Sequence, residues 1–288
     1  MTWVLLALGA AILAAAMDAV AKATVRVASP WVVAWAPYLF GAPFLLFLLL
    51  SEPDRVTPGA PYFAATALAL PLEIVAVFLY IHAIHRSPLA LTIPFLALTP
   101  VFTIPVSYVL VGEKPGAAGA MGVLLVTAGA YALNIQARAT GWLGPFRAVA
   151  REPGSRMMIG VALLFSFTST LGKIAVLHSS PVFFGATYSS LLLVTVGAVA
   201  ARFSPGIWGA VRTHLGPLAV IGALYAAMAV CHFKAIALAP VAYMIALKRT
   251  SILFAVILGR VFFEERGLRH RFFGAALMVG GAILIAIS

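Results

Sequence analysis

The chain has 288 residues, 63% hydrophobic and only 9% charged, with 19 Lys and Arg against 8 Asp and Glu, a formal charge of +11. A soluble domain is about 45–50% apolar and about 25% charged. So few charges cannot cover a water-facing surface, which excludes an ordinary globular domain, a disordered chain and a nucleic-acid binder. A single cysteine, Cys231, excludes a disulfide framework and a multi-cysteine metal site.

A helix that crosses a bilayer needs about 20 mainly apolar residues. In chain order, apolar runs bounded by charges, Pro and Gly predict ten spans: 3–25, 31–50, 61–84, 88–111, 116–135, 157–177, 181–201, 215–236, 240–262 and 270–287. The runs are continuous rather than alternating, which excludes a β-barrel. Connections are short apart from 136–156 and 202–214, so no extramembrane domain is expected. The first run contains Ala14-Ala15-Ala16, a cleavage-like pattern, but no Lys or Arg precedes it, and it is read as a retained span. Trp3, Trp31, Trp35, Trp142 and Trp208 fall near span ends or in connections, as an interfacial belt requires. The expected class is an all-α polytopic membrane protein.

The chain aligns with itself at an offset of about 151–152 residues. Lys22 falls on Lys173, Pro30 on Pro181, Ala83-Ile84 on Ala235-Ile236 and Pro88 on Pro240. Phe102 falls on Phe254, Glu113 on Glu265, Gly122 on Gly274 and Gly129 on Gly281. Each half holds five spans, an odd number, so the second half enters the membrane from the opposite side. Inverted repeats commonly build alternating access around a midplane site. The division is 1–136 and 157–288, joined by 137–156.

The fourth and fifth spans carry Pro88, Gly112-Glu113-Lys114, Gly122 and Gly129; the ninth and tenth carry Pro240, Phe263-Glu264-Glu265, Gly274 and Gly280-Gly281. This pattern resembles the EamA domain of the drug/metabolite transporter superfamily, twice over. The resemblance implies ten transmembrane helices in two inverted five-helix repeats. It also implies a central cavity lined by both halves, transport of a small organic solute and residence in a bacterial inner (plasma) membrane.

Ionisable groups are costly in hydrocarbon and face a cavity or a partner. Lys248 and Arg249 sit near the middle of the ninth span. They resemble the Lys-Arg pair in the ninth helix of triose-phosphate and nucleotide-sugar transporters, where the pair grips a phosphate. Lys supplies a point charge and Arg a planar fork of donors. The fourth span has no Lys between Pro88 and Gly112 and offers Thr92, Thr99 and Thr103, so carboxylate is as open as phosphate. The competing reading is an internal salt bridge to Glu73, the one acid well inside the predicted hydrocarbon zone. Glu73 is thus either an ion-pair partner or the carrier of a coupling proton, and its repeat partner is Tyr225.

Asp18, Lys22 and Arg26 share one helix face, so Asp18 and Lys22 are expected to pair locally. Lys22 and Lys173 are matched gate elements at opposite membrane faces, or lysines that snorkel to each interface. Glu113 and Glu265 end their spans against the helix dipole and are expected to pair with Lys114, Arg266 or a neighbouring loop. His82, His85, His178 and His232 show no metal-ligand spacing and read as hydrogen-bonded interface histidines. Prolines at 71, 94, 100 and 105 kink the third and fourth spans, whereas the ninth has none after Pro240, so the first half is expected to be the more bent. The glycines of the fifth and tenth spans give small faces for close helix approach, within the chain or in a homodimer.

Lys and Arg concentrate in the odd-numbered connections, which the positive-inside rule puts in the cytoplasm with both termini outside. The superfamily resemblance implies termini inside. The expected function is a secondary transporter of a small anionic or zwitterionic solute, an amino acid or related metabolite. The solute would be held by Lys248, Arg249, Glu73, Tyr225 and Thr99, with Lys22, Lys173, Asp18 and Glu73 in gating or coupling. No nucleotide-binding, catalytic or metal motif is present, so neither enzyme activity nor a cofactor is expected. The alternatives are an exporter of cationic or aromatic drugs, a lipid-acting membrane enzyme, or a non-transporting assembly protein.

Overall fold

The computed structural model describes residues 1–52, 57–86, 93–134, 153–254 and 272–288. Its described residues form helices and no strand. In chain order these are α1 (Thr2–Thr24), α2 (Pro30–Leu50), α3 (Ala60–Arg86), a 3-10 turn (Ile93–Leu98), α4 (Thr99–Val111) and α5 (Ala117–Asn134). The second half gives α6 (Pro153–Leu177), α7 (Pro181–Phe203), a short helix Ile207–Thr213, α8 (Leu215–Leu238), α9 (Val241–Lys248) and α10 (Phe272–Ile287). Six of them, α1, α2, α3, α6, α7 and α8, are long and apolar enough to cross a bilayer. With no water in the hydrocarbon, a helix is what satisfies every backbone donor and acceptor inside its own segment.

The 151-residue repeat is visible in the packing. Exchanging the halves maps α1 onto α6, α2 onto α7, α3 onto α8, α4 onto α9 and α5 onto α10. The contact of α1 with α8 then becomes that of α6 with α3, and α4 on α6 becomes α9 on α1; all four occur. The symmetry is sharpest where α5 crosses α10. A Cβ on Gly281 would stand 2.6 Å from the Gly122 carbonyl oxygen, and one on Gly129 would stand 2.6 Å from that of Gly274. These two contacts are repeat copies of one another. The glycines are therefore used inside the chain, and self-association through these helices would need their other faces, where Gly116 and Gly280 meet nothing within 4 Å.

One pairing breaks the symmetry. α2 lies along α8, whereas its counterpart, α3 against α7, is sparse. Gly41 and Gly222 permit the first: a Cβ on Gly222 would lie 2.3 Å from Phe40 Cβ, and one on Gly41 would lie 2.7 Å from the Tyr225 ring. At the repeat offset their counterparts are Leu192 and Leu70, so the second pairing lacks the glycines that allow the first.

Two expectations change. Trp35 is not in an interfacial belt: it is buried between α2 and α7, donates to the Leu193 carbonyl at 2.9 Å and sits over Gly197, whose missing side chain makes the room. Trp142 and Glu265 lie outside the described residues. Pro37 and Pro43 inside α2 and Pro71 inside α3 do not end their helices, whereas Pro100, in the first turn of α4, follows the 3-10 turn.

Gly281→Leu should destabilise the protein by about 1–3 kcal/mol through overpacking at the α5–α10 crossing. Gly280→Leu, one residue away and unopposed, should change stability by less than about 0.5 kcal/mol. Thermal unfolding in detergent measures both.

Candidate functional site

The two middle helices are broken at matched points. α9 ends at Lys248, and the chain tightens there: Thr250 N–H bonds the Leu247 carbonyl at 3.0 Å and Ile252 N–H that of Arg249 at 3.1 Å, three-residue steps in place of four. The Thr250 hydroxyl donates to the same Leu247 oxygen at 2.6 Å and accompanies the break. At the repeat offset Thr250 corresponds to Leu98, the last residue of the 3-10 turn that precedes α4. The ninth span is thus interrupted without a proline.

The breaks open onto a cavity of about 330 Å³. Lys248 and Arg249 line it, with Thr99, Glu73 and Tyr225. All five residues expected to touch a solute therefore share one space. Arg249 Nη2 donates to Thr99 Oγ1 at 3.0 Å, and its buried Nε has no partner among the described residues. The Thr99 hydroxyl in turn donates to the Leu96 carbonyl at 2.7 Å. Lys248 makes no hydrogen bond or ion pair among the described residues, and neither ion-pairs with the other's expected partner, Glu73. Glu73 lies in the electrostatic field of Lys248, with Thr168 as its polar neighbour.

Asp18 forms no ion pair among the described residues, the expected one with Lys22 included. Because α1 packs on α9, its carboxylate acts on Lys248 and Arg249. Lys22 is exposed at the end of α1.

Lys173 does not snorkel to an interface. It is buried, bonds the carboxylate of Glu113 and donates to the Ala239 carbonyl at 2.7 Å. The second Glu113 oxygen accepts the Val241 N–H at 2.8 Å. Gly112, with φ 77°, ends α4 in the left-handed region and turns Glu113 into this position. Glu113 thus neutralises the N-terminus of α9, where a carboxylate is favoured by orphan donors and by the dipole. Lys114, its expected partner, instead lies 5.7 Å from the Tyr108 ring centroid. This clasp joins the α4–α5 turn, α6 and the α8–α9 junction, two turns from the basic pair.

Two cavity residues, Tyr38 and Tyr188, went unread in the sequence, and His232, read as a hydrogen-bonded interface histidine, lines the cavity instead. His82 and His178 bond carbonyls four residues back at 2.9 Å, but the buried Nδ1 of His232 has no partner among the described residues. Tyrosine is common at membrane interfaces, so Tyr38 and Tyr188 carried no signal; repeat alignment is the one clue, since Tyr38 falls on Ser189. No group of three His, Cys, Asp or Glu that could hold a metal ion occurs among the described residues.

Broken helices around a cavity on a repeat axis are the architecture of a transport site, and the family comparison agrees. The model of the EamA-like transporter family matches residues 1–135 and again 153–287. The chain belongs to that family. EamA proteins are membrane transporters of the drug/metabolite transporter superfamily, and this EamA chain is accordingly an integral membrane protein. No curated protein matches it. A solved crystal structure of a protein superposes over 100% of this chain and 99% of its own, at a TM-score of 0.76 and 17% identity, which shows the shared fold.

Glu113→Gln or Lys173→Met should each cost about 3–5 kcal/mol, because each strands a buried charge. The double variant should cost less than the two together. A double-mutant cycle of unfolding free energies tests this.

Proposed function

We propose that this EamA protein is a secondary active transporter of a small anionic or zwitterionic solute, an amino acid or related metabolite, that works by alternating access. The single observation behind this is Lys248: a full charge inside the bundle, beside Arg249 at a helix break, with no hydrogen-bond or ion-pair partner among the described residues. Such a group is stabilised by an anion that enters the cavity, and the free Nε of Arg249 adds a donor to the same anion. Glu73 supplies the counter-charge through which proton or exchange coupling would act. The Glu113–Lys173 clasp would hold one end of α9 until that side opens. The two family matches support a division at 137–156, and the Lys and Arg bias supports odd-numbered connections in the cytoplasm of a bacterial inner membrane.

A second reading, an exporter of cationic aromatic compounds, draws on Glu73 and the aromatic lining formed by Phe165, Phe184 and Phe233. Thermal shift of the purified protein separates the two. Carboxylates, amino acids, organic phosphates and lipophilic cations form the panel. An anion-bearing class should stabilise the protein, by about 2.7 kcal/mol at a hundredfold excess over Kd, and Lys248→Gln should abolish that effect. Stabilisation by lipophilic cations alone, unchanged in Lys248→Gln, would overturn the proposal.

A further inference from the structure

We propose that Glu73 and the tyrosines around it form a second subsite in the cavity, one that takes the ammonium group of a solute whose anionic group rests on Lys248 and Arg249. The inference depends on the binding role proposed for that basic pair, and it narrows the solute to one with two separated charges.

The basic pair and Glu73 reach the cavity from different helices, and Thr168, Ser169 and His232 complete its polar lining. Lys248, Arg249 and Thr99 come from the end of α9 and the start of α4. Glu73, Tyr38, Tyr188 and Tyr225 come from α3, α2, α7 and α8. Glu73 and Lys248 both line the cavity but make no ion pair, so their charged atoms stand more than 4 Å apart. Glu73 and Tyr225 are repeat counterparts, as are Tyr38 and Ser189.

Glu73 and these tyrosines have the chemistry of a cation site. An aromatic face is negative, and a ring beside a carboxylate attracts an ammonium by both charge and quadrupole. Tyr38 and Tyr225 meet edge to face with centroids 5.3 Å apart, and the Tyr225 hydroxyl is held by Ser189 at 2.9 Å. Tyr188 is stacked on Phe184 at 4.9 Å, which fixes its ring. Tyr188 lines the cavity, and its buried hydroxyl has no partner among the described residues. An unpaired buried hydroxyl costs free energy that a ligand's N–H donor recovers.

Charge balance points the same way. Asp18 acts on both basic side chains and offsets part of their charge. Glu73 makes no ion pair among the described residues. A simple anion would leave Glu73 uncompensated in a low-dielectric space, and a simple cation would leave the basic pair so. A solute of zero net charge with its two charges apart satisfies both at once.

Isothermal titration of the purified full chain tests the assignment. The probes are glycine, β-alanine, γ-aminobutyrate and longer ω-amino acids, each paired with the alkanoate and the alkylammonium ion of equal length. At least one ω-amino acid should bind about tenfold more tightly than its alkanoate. Glu73→Gln should bring that ratio close to one while alkanoate binding persists, which also shows that the variant is folded. Tyr188→Phe should lower the ratio a few-fold. Equal binding of ω-amino acids and alkanoates at every length, or a preference unchanged in both variants, would overturn the subsite and leave the basic pair standing. Absence of binding by ω-amino acids and alkanoates alike would overturn the basic-pair reading and this inference with it.

Discussion

Two consecutive full charges in the middle of an apolar helix are the constraint around which this molecule is arranged. Hydrocarbon offers Lys248 and Arg249 no solvation, and each charge must find a cavity, a counter-charge or a donor–acceptor network. The structure supplies all three in part. Thr99 takes one guanidinium nitrogen, Asp18 and Glu73 supply opposing field, and a cavity of about 330 Å³ leaves the rest open. The break after Lys248 falls at the same place in the chain, where the Thr250 hydroxyl takes the Leu247 carbonyl and the helical ladder shortens. A partly satisfied basic pair at a broken helix is costly for stability alone. Its presence is understandable when an incoming solute completes it.

The inverted repeat sets where this happens, and departures from it give the molecule direction. The symmetric glycine contacts of α5 and α10 mark the axis. Off the axis, chemistry diverges: Glu73 stands against Tyr225, and the Gly41–Gly222 approach stands against Leu192 and Leu70. In an inverted-repeat carrier, moving from one open state to the other exchanges the packing of α2 on α8 with that of α3 on α7. Under the proposed alternating access, leucines in place of glycines make that exchange unequal, and one state is favoured when the site is empty. The Glu113–Lys173 clasp adds a charge-assisted hold at the beginning of α9.

The fold was legible because its signals are coarse and repeated. Ten apolar runs, an odd number per half, and Pro, Gly and Glu at a constant offset need no tertiary information. Lys248, Arg249 and Glu73 stood out because charges are rare in hydrocarbon. What was illegible depends on long-range geometry. Glu113 and Lys173 are sixty residues apart, and neither residue's neighbours suggest that Lys173 is buried or that Glu113 reaches the N-terminus of α9. The i, i+4 spacing of Asp18 and Lys22 suggested a local pair, but the packing of α1 on α9 decides where Asp18 acts. Tyr38, Tyr188 and Trp35 look like interfacial aromatics in sequence, and only the packing partners, Gly197 for Trp35 and Phe184 for Tyr188, show otherwise. The break at Arg249 carries no Pro or Gly to announce it.

Alternating access is the central claim, and accessibility of the cavity from each face of the membrane tests it most directly. A cysteine in place of Ser169, which lines the cavity, in a Cys231→Ala background would be labelled in oriented vesicles with a membrane-impermeant thiol reagent applied from one side or the other. The account predicts labelling from both sides, with a different rate from each, and protection from either by a bound solute. Labelling from neither side, or from one side only whatever solute is present, would contradict it.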